Sequence, residues 1–209
     1  MQDVCIVDTG ISNTRSLVNA LNFLKIKVTV IETSSQIKSA NCLIIPGVGS
    51  FDKMMTFLEN KNMTTAIVSA VDNSTPILGI CLGMQVLFTS SEEGEKEGLN
   101  ILKGHLKKLT FESKKFNKVP NTGFRKVNFG NLNFELFKKE FGFFYFNHSY
   151  VLMSEEFSGD FDSCMHNKEF VASFRKNNIF GMQFHPEKSH EDGLMLLKNF
   201  VKYSLSNEY

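Results

Sequence analysis

Cys81 stands between Gly79 and Gly83, at the end of an apolar run that begins Pro76-Ile77-Leu78. Small flanking residues let a chain turn sharply from strand into helix and leave a sulfur open to substrate, as a nucleophile requires. Far along the chain, Phe184-His185-Pro186-Glu187 puts a histidine at the end of another apolar run, with a carboxylate two residues on. A thiolate, a base that takes its proton and an acid that orients the base are the parts of a Cys-His-Glu acyl-transfer site. In that scheme Cys81 attacks, and His185 takes the thiol proton and later returns one to the leaving group. Glu187 accepts the other ring N–H and fixes the tautomer. A free thiol, with a pKa of about 8.5, is mostly protonated at neutral pH. The helix expected to begin at Leu82 therefore matters, because its unpaired N–H groups and dipole favour the anion.

A tetrahedral oxyanion also needs donors, each worth roughly a hundred- to a thousand-fold in rate. Leu82 N–H, directly after the nucleophile, is one candidate. The loop Gly47-Val48-Gly49 offers the other. Each part has a plainer reading on its own: a packed cysteine in a glycine turn, or a strand terminus with a surface carboxylate. Their joint occurrence favours the site.

Elements that would position these groups are legible around them. Strands are expected over 4–8, 27–32, 41–46 and 76–80, with helices over 14–24 and within 54–71. This alternation, with nearly continuous apolar strands, predicts a parallel sheet covered on both faces. Gly10, Gly47, Gly49 and Cys81 fall at the carboxyl ends of those strands, where sites in such folds gather. The second half is rich in short aromatic strands, expected over 106–111, 124–129, 143–150, 161–165, 169–174 and 179–184. Lys176-Asn177-Asn178 reads as a hairpin turn between the last two. A final helix is expected over 190–205, capped by Ser189 with Asp192 three residues on, its apolar face carrying Leu194, Leu197, Val201 and Leu205. Residues 90–98 form the most polar stretch and read as a solvated loop. The expected architecture is α/β: one domain over residues 1–209, with a largely parallel central sheet flanked by helices and a strand-rich second half.

Composition narrows the function classes. In 209 residues, 23 Lys and Arg face 22 Asp and Glu, which gives no electrostatic case for a nucleic-acid or membrane partner. No apolar run approaches membrane-spanning length and the start lacks a signal-peptide pattern, so the chain is expected to be cytoplasmic. The four cysteines are widely spaced with no CxxC pair, which argues against a disulfide framework or a zinc ribbon. Cys5 and Cys42 lie in apolar runs and read as packed. Cys164-Met165-His166 has no second ligand pair, so no metal is expected. Gly47-x-Gly49 fails as a dinucleotide fingerprint, because its third glycine would fall at Asp52, and no phosphate loop appears. No cofactor is expected.

Five stretches together carry a resemblance to a known family: Asp8-Thr9-Gly10, the run from Pro46 to Phe51, the Cys81 elbow, Tyr145-Phe146-Asn147-His148-Ser149-Tyr150, and the run from Phe184 to Ser189. They span nearly the whole chain and resemble the class I, or triad, glutamine amidotransferases, whose fold is flavodoxin-like. Within that family the chain looks most like the glutaminase subunits of imidazole glycerol phosphate synthases in histidine biosynthesis. The resemblance implies hydrolysis of the glutamine side-chain amide to glutamate and ammonia by Cys81, His185 and Glu187. It implies an oxyanion hole at Gly49 and Leu82, with a peptide in the glycine loop that can flip to complete it. It further implies glutamine-binding positions at Gly47, Gln85, His148, Ser149 and Tyr150.

With the motifs spread over the whole chain, no room is left for a domain that consumes ammonia. The implied partner is a separate (β/α)8-barrel cyclase subunit in a heterodimer, receiving ammonia through a channel, and the face near Asn13, Gly49 and residues 120–125 is expected to meet it. Three departures bear on that partner. Thr9 stands where tyrosine is common, Ser12 where glycine is common, and Pro120-Asn121-Thr122-Gly123-Phe124-Arg125 where Pro-His-x-Gly-Trp-Asn is usual. A paralogous subunit that feeds ammonia to a synthase amidinating a bacterial surface sugar is the alternative. A non-catalytic binding subunit would be expected to lose part of the triad, and a γ-glutamyl peptidase would lack the wording around His148 and His185.

Overall fold

The computed structural model describes residues 4–10, 12–110, 119–130 and 140–205. Phe111, the last residue of the strand expected over 106–111, lies outside them. The first half runs β1 (Val4–Val7), α1 (Thr14–Phe23), β2 (Val28–Ile31), α2 (Ser34–Lys38), β3 (Leu43–Gly47), α3 (Phe51–Asn60), α4 (Met63–Asp72), β4 (Ile77–Cys81) and the single turn α5 (Leu82–Gln85). The second half runs β5 (Ser90–Ser91), β6 (His105–Lys108), β7 (Asn121–Asn128), β8 (Phe141–His148), β9 (Tyr150–Val151), β10 (Asp160–His166), β11 (Lys168–Lys176), β12 (Ile179–Met182) and α6 (His190–Leu205).

Nine strands form one sheet in the order β2-β1-β3-β4-β12-β11-β10-β7-β8. The pairings from β2 through β12 are parallel and those from β12 to β8 antiparallel. The parallel half is the sheet expected from the alternating elements, and the aromatic strands extend it rather than forming a separate layer. Strands β5, β6 and β9 make a small second sheet. All five residues of β3 and of β4 are buried, as continuous apolar runs require when helices cover both faces. Alternate side chains of β3 serve the two faces: Leu43 and Ile45 pack with α2, α3 and α4, whereas Ile44 packs with α1 and α6.

The helical stretch expected within 54–71 is two helices. Asn62, in a left-handed conformation at φ 53°, turns the chain between α3 and α4. Asparagine tolerates that region better than most residues. Helix α2 carries a capping box in which Thr33 and Gln36 each accept from the other's backbone N–H. The Asn177-Asn178 turn joins β11 to β12 in register, Lys176 facing Ile179, with Asn177 at φ 55°.

Two expectations about the end of the chain are corrected. Helix α6 has the expected span, but its buried face carries Gly193, Leu196, Leu197, Phe200, Val201 and Ser204; Leu194 and Leu205 are only partly buried. Ser189 does not cap it with its side chain. Its hydroxyl donates to the His185 carbonyl at 2.6 Å and accepts the Tyr145 N–H at 3.0 Å. It thus fastens the segment after β12 to β8.

Candidate active site

Parallel pairing sets Gly47 level with Cys81, and Met182 level with Ile80. Three strand ends therefore meet at one edge, and the next residues along β12's path, Gln183 and His185, arrive beside the elbow. Cys81 adopts φ 54° and ψ −113°, a strained conformation for a residue with a side chain. Such strain persists only where the surroundings enforce it. Here they do: a Cβ on Gly79 would sit 2.6 Å from Met84 Cα, and one on Gly83 1.7 Å from the Ile45 carbonyl oxygen. The turn is as tight as the sequence implies.

His185 is held by its backbone as well as its ring. Its N–H donates to the Tyr145 carbonyl at 2.8 Å, and its own carbonyl accepts from Ser189. The ring is almost wholly buried, with Nδ1 2.9 Å from Glu187 Oε1. Burial opposes a charge on the imidazole, but the Cys81 sulfur and the Glu187 carboxylate outweigh it and lift His185 to about 10. His185 and Glu187 are thus paired directly, and the Cys81 sulfur acts on the charge of the ring. The Cys81 sulfur also lies 3.9 Å from the Asn147 carbonyl oxygen.

Beside the sulfur is a cavity of about 210 Å³, lined by Val48, Gly49, Cys81, Leu82, Gln85, Glu93, Pro120, Asn147, His148, Ser149 and Tyr150. Pockets for drug-sized ligands run about 300–1,000 Å³, so this one suits an amino acid better than a nucleotide. It gathers the expected Gly49, Leu82, Gln85, His148, Ser149 and Tyr150. Gly47 is not in its lining; a Cβ there would meet Gly83 N at 2.7 Å, so this glycine serves the close approach of β3 to the elbow. Gly49, at φ 100°, holds the loop conformation next to the sulfur. Leu82, first residue of α5, has an N–H with no partner inside the helix.

The His148 ring is committed to the protein. Its Nδ1 lies 3.1 Å from the Tyr150 carbonyl and its Nε2 3.0 Å from Asn121 Nδ2. That pairing makes Nδ1 the donor and Nε2 the acceptor of a neutral ring. Burial, the largest influence, pushes its pKa down to about 3 despite the Tyr150 carbonyl. Between about 3 and the ordinary 6.5 the folded state binds fewer protons than the unfolded one, so this contribution to stability is present above 6.5 and lost as pH falls. Asp162, raised by burial to about 6, acts oppositely and loses stability as pH rises through that value. A comparison with a His148→Gln variant cancels the Asp162 effect. The urea midpoint of the native chain is expected to fall more steeply than the variant's as pH is lowered from 6.5 to 4; parallel profiles would contradict a buried neutral ring.

Two residues at the site escaped the sequence reading. Glu93 lies in the stretch 90–98, which is not a free solvated loop. Its Oε2 accepts the Phe51 N–H at 3.0 Å, and Asp52 accepts the N–H groups of Glu95 and Lys96 at 3.1 and 3.0 Å. Burial raises the Glu93 pKa, with Phe51 opposing. The other is Gln183, fully buried, whose Nε2 is 3.8 Å from the Cys81 sulfur. No pattern in a polar loop marks Glu93; the one signal for Gln183 is that it is a lone amide in the apolar run before His185.

A larger depression of about 480 Å³ lies between α3, α4 and residues 97–99, with Glu59, Asp72 and Glu97 in its lining. It contains no cysteine or histidine and none of the expected site residues, so the smaller cavity is the candidate site. Among the described residues no cluster of His, Cys, Asp and Glu could hold a metal ion, and no helix is long and apolar enough to cross a membrane.

Comparison with known proteins shows the family of the chain. The family model described as glutamine amidotransferase class-I matches residues 5–203. Imidazole glycerol phosphate synthase subunit HisH of Leptospira interrogans is 38% identical over 199 residues, covering 94% of this chain and 98% of that protein. The protein of that name from Sulfurimonas denitrificans is 41% identical over 208 residues, covering 96% and 98%. Among solved structures, one described as a glutamine amidotransferase superposes with a TM-score of 0.72 at 15% identity, covering 96% of this chain and 98% of that one. A glutamine amidotransferase from Thermotoga maritima gives 0.67 at 12% identity, covering 98% of each chain. At those identities the structures speak for the fold alone.

Proposed function

This chain belongs to the class-I glutamine amidotransferases, and from that premise we propose that it is the glutaminase subunit of an imidazole glycerol phosphate synthase, with Cys81, His185 and Glu187 as its catalytic triad. The observation that carries the reading is the buried His185 ring, hydrogen-bonded to Glu187 and raised in pKa by the Cys81 sulfur, beside an amino-acid-sized cavity that Cys81 lines.

Chemistry follows from the placement. His185 takes the thiol proton, and the Cys81 sulfur attacks the side-chain amide carbon of glutamine. The oxyanion is met by Leu82 N–H and the loop at Gly49. As the tetrahedral adduct collapses, the C–N bond breaks and His185 gives its proton to the departing ammonia, leaving a thioester. His185 then takes a proton from water, whose oxygen attacks the thioester carbon, and glutamate leaves as the thiol is restored. Glu187 stabilises the imidazolium through both steps.

Substrate recognition divides between an amide and a carboxylate. The Gln85 side-chain nitrogen is committed to the Tyr150 carbonyl and Gln183 Oε1, both at 3.0 Å, which leaves Gln85 Oε1 for the substrate. Glu93 supplies the negative charge that pairs with the α-ammonium of glutamine. Gly49 and the backbone of His148, Ser149 and Tyr150 frame the rest, with the His148 ring acting as a strut rather than a ligand.

The relatives named as HisH subunits of imidazole glycerol phosphate synthase, matched along almost their whole length, support a role as one subunit of such a synthase; the partner in this proposal is a separate (β/α)8-barrel cyclase of histidine biosynthesis that receives the ammonia. Two of the departures from the usual wording have partners inside the fold. Thr9 is buried, with its hydroxyl 3.5 Å from the Pro46 carbonyl, and Asn121 supports His148. Ser12, whose hydroxyl pairs with Thr14 Oγ1 at 2.6 Å, and the exposed side of residues 120–125 keep the surface-sugar synthase as a second reading. Glutamate release should be measured for the chain alone, then with the cyclase from the same organism and its ribotide substrate. Stimulation by the cyclase is the expected result. Its absence, with Cys81 still reactive toward an electrophilic glutamine analogue, would indicate another synthase partner.

A further inference from the structure

The geometry points to Gln183 as a thiolate-stabilising residue, the last member of a relay of amides that runs from the Tyr150 carbonyl to the Cys81 sulfur. Gln183 lies two residues before His185, and its backbone N–H donates to the Ala172 carbonyl at 2.8 Å, which fixes it on the path of β12. Its side chain is fully buried. A buried amide is costly unless it is hydrogen-bonded, so its partners define its role.

Those partners leave only one orientation. The Tyr150 carbonyl can only accept, so Gln85 must turn its NH₂ toward it. The same NH₂ lies 3.0 Å from the Gln183 side chain, which must present its oxygen there. That leaves the Gln183 NH₂ directed at the sulfur, 3.8 Å away. A flipped Gln183 would set two NH₂ groups against each other and aim an oxygen lone pair at the sulfur. The polarity of the chain is thus imposed from a backbone carbonyl, and its terminal donor falls on the reacting atom.

An N–H donor distinguishes the two states of that atom. A thiol sulfur is a weak acceptor, whereas a thiolate makes a charge-assisted bond. The Asn147 carbonyl, 3.9 Å from the sulfur on another side, has the opposite preference, since it can accept from S–H and faces an anion unfavourably. Gln183 counterbalances it. The titratable groups near the sulfur are His185 with Glu187, and Glu93 and His148 across the cavity. His185 provides the counter-ion and proton acceptor; Gln183 provides a donor that carries no charge and does not titrate. Relay and cavity also share Gln85 and Tyr150, so the groups that frame the substrate hold the donor in place.

The inference rests on Cys81 being the nucleophile. Its test is the pH dependence of iodoacetamide alkylation at Cys81, followed on the Cys81 peptide by mass, together with kcat and KM for glutamine. Gln183→Met keeps the volume and removes the donor. Gln183→Glu keeps the acceptor for Gln85 and places a carboxylate oxygen at the sulfur. In Gln183→Met the alkylation midpoint is expected to rise by about one pH unit, from the loss of one hydrogen bond to a charged group. The kcat should fall about tenfold with KM nearly unchanged. The Gln183→Glu variant should shift in the same direction and further. If Gln183→Met does not fold, judged by its thermal transition, the closer mimic Gln183→Glu decides. Unchanged midpoints in folded variants, or a defect confined to KM, would overturn the inference. A Cys81→Ala chain that still released glutamate would overturn the underlying reading instead, whereas an inactive Cys81→Ala beside unaltered Gln183 variants would remove this inference alone.

Discussion

Cys81→Ala is expected to lose glutamate release by more than about 10⁴-fold while unfolding at the temperature of the native chain. The loss follows from chemistry, because no other group at the site can form the thioester and a triad without its nucleophile keeps only binding and oxyanion stabilisation. Retention of stability follows from conformation. Cysteine and alanine share the Cβ that makes φ 54° costly, so the strain in the elbow is the same in both. The sulfur's polar contacts are long ones, at 3.8 Å to Gln183 and 3.9 Å to the Asn147 carbonyl. Little stability goes with them. Glutamate assay and thermal unfolding of the one variant check both halves; a large fall in melting temperature would mean that the thiol is a packing element of the turn.

Gly83→Ala has the largest expected effect on the fold. Gly83 needs no unusual φ, so the argument concerns space alone. An added Cβ would lie 1.7 Å from the Ile45 oxygen and 2.7 Å from the Ile45 carbonyl carbon, both backbone atoms of a central strand. Side chains can rotate away from a clash, but a paired β3 backbone cannot without losing its register with β4. The variant is expected to lose more than about 3 kcal/mol, at the upper end of what overpacking costs. Urea unfolding reads this as a lowered midpoint. Any folded fraction should also be impaired in catalysis, because moving α5 away from β3 displaces Leu82 N–H from the loop at Gly49. A native midpoint would mean that the elbow can open by more than an ångström at little cost.

How much of this was legible in the sequence depends on the range over which each feature is determined. The elbow and the His-Pro-Glu segment are local patterns whose residue types are dictated by their own turns, so Cys81, His185 and Glu187 are nameable as a candidate triad from sequence alone. The parallel strands were equally open to reading, because Leu43, Ile44 and Ile45 or Ile77 and Leu78 can be apolar in succession only where both faces are covered. The break at Asn62 was hidden by an apolar period that continues through it. Helix α2 was overlooked although Thr33-x-x-Gln36 is a legible capping signature. Ser189 misled for the opposite reason: a serine with an acid three residues on matches a capping pattern, but the distant Tyr145 and His185 claim its hydroxyl. The stretch 90–98 looks the same whether its carboxylates face water or the start of α3, and only the fold brings Glu93 to the cavity. Gln183 belongs to this last group, since its contacts depend on Gln85 and Cys81 arriving from other elements.

An electrophilic glutamine analogue, followed by peptide mass mapping, tests the nucleophile and the substrate together. One adduct on Cys81, suppressed by excess glutamine, is the predicted result. An adduct on Cys5, Cys42 or Cys164 with Cys81 unmodified, or labelling of Cys81 that glutamine does not suppress, would contradict a glutaminase site at this elbow.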